Sequence, residues 1–513
     1  KHLIPELPTL PHLPLVVSRR DMDTAKLVAQ ARETRDSSLA RIEPPLGKIP
    51  SPRSKNVTKI ANDLLTAREL EITALDAPEI LTAIREKTYS CVDVTRAFLR
   101  RAALAQELTN CITELLPERA IERAKYLDSL QSPAGPLHGL PISIKEHQGM
   151  RGCTTNGGYV AFIGKEVDSD IDVNDTLWEA GAVFYARTTQ PQAVMHLETS
   201  TSIYGVTTNP WNIDLTAGGT NTWKNLKNWK YEWLLGIMPT KGPITSSRSG
   251  LDLFMETYFS YEPWIKDDSL VPLPWRSVSL PSKLKIAVMW SDDIVTPHPP
   301  VTRALKEIAN ILNQAGHEIV DWKPEGHDEC WDITQALYWE DGGKNVEELI
   351  LKGGEELLHL TKWLIKDSKN VKFRTAEEVC ALKIKRNAYR ARYNRLWLST
   401  GSTGSRPVDA ILCPTGPGAA PPHENAKYWN YTSQWNLLEY PGAVFPVTFV
   451  DQKLDVKDAS YVPKNEQDKF NYELYDPAKY TDAPIGLQIV TRRFEDEKCL
   501  KVLEVVEKAM GRK

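Results

Sequence analysis

The sequence predicts an α/β fold with a mostly parallel or mixed, twisted β-sheet covered by helices on both faces. Three observations carry that expectation. From residue 284 onward, short apolar runs rich in Val, Ile and Leu alternate with stretches of helical period. Earlier, "PISIK" (141–145) alternates with period two, as a strand does. A composition of 41% hydrophobic and 25% charged residues over 513 positions is that of a globular chain whose core needs no disulfide or metal staple. Length alone allows two or three domains or one large α/β domain.

Residues 1 to about 55 are rich in proline and charge and are expected to form an extended or partly disordered arm. Ser90 with Asp93 makes a capping box for a helix whose Val94, Ala97, Phe98, Ala102 and Ala105 share one face. Pro117 suits the first turn of a second helix, with Ala120, Ile121, Ala124 and Leu127 as its buried stripe. "LKIAVMW" (284–290) and "HEIVDW" (317–322) read as strands flanking a helix with Val301, Leu305, Ile308, Ala309 and Leu312 inward and Gly316 at its stop. Further strands are expected at 408–414, 442–450 and 485–490, the last feeding a helix with Cys499, Val502, Leu503, Val506 and Met510 on one side. Residues 451–484 are polar and interrupted by proline, which suggests a surface excursion, and "STGSTGS" (399–405) suggests a short flexible loop.

Several function classes drop out. The 63 Lys and Arg nearly balance the 67 Asp and Glu, and no basic stripe argues for nucleic acid. No apolar run approaches the roughly 18 residues of an integral membrane segment. The opening "KHLIPELPTLPHLPLVV" has prolines where a signal peptide needs a continuous apolar core. Seven cysteines, an odd number without paired spacing, suggest free thiols and a cytoplasmic location. The chain has no G-x-S-x-G, no H-E-x-x-H, no paired C-x-x-C and no phosphate-binding P-loop, so no α/β-hydrolase elbow, zinc site or phosphate loop is signalled. The ten histidines lack ligand spacing and are expected to be structural or exposed.

Lys145, at the end of an apolar strand, allows two readings. It snorkels to solvent, or it is desolvated, so that its pKa falls and the neutral amine can accept a proton. Glu146 and His147 follow it as polar neighbours or as a solvated turn.

"GPLHGLPISIKEH", "TTQPQAVMHLETSTSIYGVTTNPWN" with the following "TAGG", "GPITSSRSGLDLFM", "VDAILCPTGPGAAPP" and "PIGLQIVTRRFEDE" together resemble the ordered blocks of the amidase signature family, most closely its fungal acetamidase-like branch. The resemblance covers roughly residues 57–510. It implies one α/β/α domain (56–513) around a mixed sheet, and hydrolysis of a small-molecule carboxamide without metal or organic cofactor. Its mechanism uses a lysine, a serine in a cis peptide and a nucleophilic serine, with backbone N–H groups holding the oxyanion. Carried over, Lys145 matches the lysine and Thr220 stands where the cis-serine belongs. Gly218 and Gly219 match the preceding glycines, and Val194 a position that contributes to substrate binding. Residues 1–55 lie outside the resemblance and leave membrane contact and subunit contact, a homodimer included, equally open.

The match breaks at about 220–241. By counting, the nucleophile falls on Ile244, but by motif Ile244 belongs to "GPITSSRSG", a later block. Asn221 to Lys241, with Trp223, Trp229 and Trp233 and no serine, therefore stands in place of a longer segment. Two explanations fit, a degraded enzyme or a misjudged exon boundary. Ser246, Ser247 and Ser249 are either substitute nucleophiles or the N-terminal cap of the next helix.

Overall fold

The computed structural model describes residues 23–51, 53–218, 237, 242–401 and 404–512. Among them run twelve strands: β1 (Ile112–Leu115), β2 (Pro141–Lys145), β3 (Val183–Thr188), β4 (Ser200–Thr201), β5 (Gly205–Val206), β6 (Thr208–Asn209), β7 (Asn212–Thr216), β8 (Lys285–Val288), β9 (Glu318–Asp321), β10 (Ala410–Pro414), β11 (Gly442–Phe449) and β12 (Pro484–Val490). They fall into a three-stranded sheet of order β1-β3-β2, a five-stranded sheet of order β11-β12-β10-β8-β9, and two small hairpins. Both main sheets are mixed. β2 runs parallel and β1 antiparallel to β3. β8 is parallel to β9 and β10, while β12 is antiparallel to β10 and β11. The α/β class is as expected. The expected single sheet is, among the described residues, two, and in chain order the division falls across residues 219–241, where the sequence match also breaks.

The five-stranded sheet shows why these sequences make strands. Ile286, Val288, Ala410, Leu412 and Leu487 point to one face and pack on Val301, Leu305, Ile308, Val502 and Leu503 of the helices Pro299–Gln314 and Asp496–Ala509. Ala287, Met289, Ile411 and Cys413 point to the other and meet Tyr389, Tyr393, Trp397, Tyr431 and Trp435 of the helices Ala376–Ser399 and Asn430–Leu438. The inner strands β8 and β10 are apolar on both sides because both sides are covered, while the edge strands β9 and β11 have exposed positions. A large apolar side chain buried this way contributes about 1.5–3 kcal/mol. Pro299 and Pro300 open one of these helices, where no backbone donor is needed, and Gly316 follows it with φ +89°.

The three-stranded sheet is backed by the helices Cys91–Thr109 and Pro117–Asp128. The capping box forms as expected: Asp93 N–H donates to Ser90 Oγ at 3.0 Å, and Ser90 N–H donates to the Asp93 carboxylate at 3.3 Å.

Two stretches differ from expectation. Within the predicted arm, Thr24–Ala40 is a 17-residue helix, with Asp23 accepting from Lys26 N–H as its cap. It is held by long-range bonds, since Arg32 Nε donates to the Ile203 carbonyl at 2.6 Å and Leu115 N–H donates to Ser38 Oγ at 2.9 Å. Residues 451–484 are more than a surface excursion. They include the helix Glu466–Leu474 and bury Asp455, Tyr475 and Tyr480. Arg303 forks onto both oxygens of Asp455 at 2.8 and 2.9 Å, joining this stretch to the helix Pro299–Gln314. That pairing spans 152 residues, so no local pattern announces it.

Arg303→Met is expected to lower stability by about 3 kcal/mol, because it leaves the Asp455 carboxylate buried and unpaired. Urea unfolding of the full chain measures this. The double variant Arg303→Met/Asp455→Leu should lose less than the single one.

Candidate active site

Lys145 ends β2, opposite Thr188 of β3. Its side chain is partly buried, and desolvation lowers its pKa from 10.5 to about 7. Of the two readings of this lysine, the structure gives the desolvated one. Near neutral pH a large fraction of these amines carries no charge and has a free lone pair.

Glu146 and His147 are buried, with 1% and 5% of their surface exposed, so they form no solvated turn. The Glu146 carboxylate accepts three N–H groups: Asn156 backbone at 2.6 Å, Gly157 backbone at 3.0 Å and Gln190 Nε2 at 2.7 Å. Burial pushes its pKa up, opposed by Arg187 and these donors. Arg187 lies 1% exposed on β3 and donates to the Glu146 carbonyl at 2.6 Å, the Thr154 carbonyl at 2.7 Å and the Thr155 hydroxyl at 3.1 Å. The peptide that follows Lys145 is thus fixed from both its carbonyl and its side chain. No local pattern assigns Glu146 a role or singles out Arg187 and Gln190, since Arg187 and Gln190 lie 41 and 44 residues from Glu146 in the chain.

Val194 is buried and has φ +56°, and its neighbour Ala193 has φ +58°. Left-handed backbone at two successive side-chain-bearing residues, one of them β-branched, is strained, and surrounding contacts must hold it. Gln192 supplies them. Its Oε1 accepts Leu358 N–H at 3.0 Å and the Thr361 hydroxyl at 2.7 Å, and its Nε2 donates to the Glu356 carbonyl at 3.1 Å.

Gly218 follows β7 with φ +91°, a conformation that favours glycine. Its carbonyl accepts from Thr199 Oγ1 at 2.9 Å, and its N–H donates to Thr216 Oγ1 at 3.2 Å. No described atom lies within 4 Å of where a Cβ would stand, so the backbone conformation alone calls for glycine. Gly219, Thr220, Asn221 and the three tryptophans lie outside the described residues.

One stretch, residues 188–201, joins the described parts. It pairs with Lys145 through Thr188, grips Glu146 through Gln190, carries Val194, and holds Gly218 through Thr199. Of the serines downstream, Ser247 takes the capping role. Ser247 caps the helix Arg248–Ser260 by accepting Gly250 N–H at 3.1 Å, and Ser249 Oγ donates to Asp76 at 3.1 Å. Ile244 is fully exposed. Among the described residues no cluster of His, Cys, Asp and Glu could hold a metal ion, and no helix is long and apolar enough to cross a membrane.

Competitive labelling of amines on the folded chain should find Lys145 reacting half-maximally near pH 7, while exposed lysines do so above pH 10. Gln192→Leu strands the Leu358 donor and the Glu356 acceptor and should cost roughly 1–3 kcal/mol in thermal or urea unfolding.

Comparisons with known proteins bear on the family and the fold. The model of the amidase family matches residues 93–220 and 230–500, leaving out 221–229. A putative amidase of Schizosaccharomyces pombe is 39% identical over 94% of this chain and 99% of its own length. That alignment runs to 536 residues, longer than this chain of 513, so the relative carries residues that have no counterpart here. The acetamidase of Emericella nidulans is 32% identical over 87% of this chain and 91% of its own. Among solved structures, fatty acid amide hydrolase superimposes with a TM-score of 0.88 at 28% identity, covering 95% of each chain. A bacterial aryl acylamidase of the amidase signature family shares the fold at 15% identity and a TM-score of 0.63. Matched over most of its length by the family's model, by its fungal members and by its fold, the chain belongs to the amidase family.

Proposed function

We propose that this protein is built to hydrolyse the C–N bond of a carboxamide, giving a carboxylic acid and ammonia or an amine, and that the chain itself turns over weakly or not at all. The observation that carries the first half is Lys145, a desolvated amine with a pKa of about 7 at the end of a core strand. In its neutral form this amine takes a proton from a neighbouring hydroxyl, the role assigned here to Thr220. That hydroxyl in turn takes the proton of a nucleophilic serine, which attacks the amide carbonyl. Gly218 and Gly219 shape the bend beside the reacting carbonyl, and Val194 lines the substrate. The same relay returns the proton to the departing amine, and water then releases the acid from the acyl-enzyme.

The second half rests on the sequence. From Ala217 to Thr245 there is no serine, so the relay ends on Thr220 with nothing to activate. Asn221, beside it, cannot form an alkoxide. This supports a second reading, a non-catalytic member of the family that binds an amide or a partner without turnover. The seven unpaired cysteines favour a cytoplasmic site of action.

The test is a pair of chains assayed against a panel of short- and long-chain amides, reading ammonia or amine release. The native chain is expected to be silent. A chimera in which residues 220–241 are replaced by the corresponding segment of the S. pombe relative is expected to hydrolyse at least one amide. Its rate should rise with pH through about 7 as Lys145 loses its proton, and Lys145→Met should cut it by roughly 10²-fold or more. A folded chimera that is inert on the whole panel defeats the hydrolase reading and leaves the binding one.

A further inference from the structure

His423 lies in the loop after β10 and contacts two acceptors. Its Nδ1 is 3.3 Å from Glu198 Oε2, and its Nε2 is 3.1 Å from the Ile213 carbonyl of β7. A neutral imidazole has one N–H and can donate to only one of them, whereas an imidazolium donates to both. Glu198 is 1% exposed and takes a further N–H, from Glu424 at 2.9 Å.

Both contacts lead to Gly218. Glu198 precedes Thr199, whose hydroxyl donates to the Gly218 carbonyl. Ile213 lies in β7, which ends at Thr216, whose hydroxyl accepts the Gly218 N–H. The loop carrying His423 is laced to the same strand, since Thr216 N–H donates to the Pro421 carbonyl at 2.9 Å and Leu215 bridges to Pro422. We propose that His423 is a positioning residue for the Gly218 bend, a doubly donating imidazolium that locks Glu198 to β7. The assignment rests on the reading that this bend belongs to the amide site.

The charges around the ring favour the cation. Glu198 touches it, Asp214 of β7 lies nearby with its carboxylate 2.6 Å from Lys55, and Glu424 follows it in the chain. The hydrogen bond to Glu198 raises the His423 pKa above its ordinary 6.5. A raised folded-state pKa fixes the sign. The clamp acts fully below pH 6.5, and its contribution fades as the pH climbs through the raised value. A pH profile of catalysis does not isolate this effect, because Lys145 titrates in an overlapping range.

Hydrogen exchange read by mass spectrometry on the full chain isolates it, with intrinsic exchange corrected at each pH. Peptides covering 197–218 are expected to lose protection by about tenfold between pH 6 and pH 9. His423→Gln should be low and flat over that range. His423→Arg, a permanent cation with several donors, should stay protected through pH 9. Protection that is independent of pH in the wild type, or an equal loss in His423→Gln, overturns the proposal. Should His423→Gln not fold, NMR titration of the native chain decides. A His423 pKa below 6.5, or a Gly218 amide that does not respond as His423 titrates, is fatal to it. None of these readouts needs turnover, so a failed amide panel leaves the clamp standing and a failed clamp leaves the hydrolase reading untouched.

Discussion

Partial burial of the Lys145 amine is the constraint on which the rest of the site depends. An ammonium in water has a pKa near 10 and accepts no proton at neutral pH. Only removal from solvent brings it to about 7, and solvent is removed because β2 lies within the fold beside β3. Desolvation has a cost: between about pH 7 and 10.5 the folded chain gives up a proton that the unfolded chain keeps, and below about pH 7 it holds a cation partly removed from water. The fold supports this from behind. Arg187, Glu146, Gln190 and the Asn156–Gly157 turn form a buried polar network, which fixes the peptide next to Lys145 without giving the amine itself a counter-charge.

The same economy governs residues 188–201. Left alone, the backbone at Ala193 and Val194 would relax out of the left-handed region. It is kept there by Gln192, whose amide is bonded at both its oxygen and its nitrogen to residues 356–361. Strain here, in the turn beyond the end of β3, and desolvation at Lys145, at the end of neighbouring β2, are two costly features close in the fold, each held by a hub with several hydrogen bonds. Such conjunctions arise where chemistry or binding is done rather than where a core is merely packed.

The five-stranded sheet makes a contrast. Its two apolar faces, its proline-opened helix and its aromatic layer on Tyr389, Tyr393 and Trp397 follow ordinary packing rules with no strained backbone at their centre. In chain order the two sheets lie on either side of residues 219–241, and they draw their stability from separate apolar clusters.

The sequence by itself determined what local pattern controls. Apolar runs and helical periods placed the five strands from 284 onward and the helices Pro299–Gln314 and Asp496–Ala509, the Ser90–Asp93 pair placed a cap, and the ordered blocks placed Lys145, Val194 and Gly218 within a family. These are signals carried within a few residues, where geometry follows from spacing. Tertiary structure alone decided whether Lys145 was wet or dry, that Glu146 was buried, that Arg303 met Asp455, that residues 24–40 were a helix, and that His423 faced two acceptors. Each depends on partners tens to hundreds of residues away. Desolvation and hydrogen bonding are properties of what surrounds a group in space, and spacing along the chain does not record them.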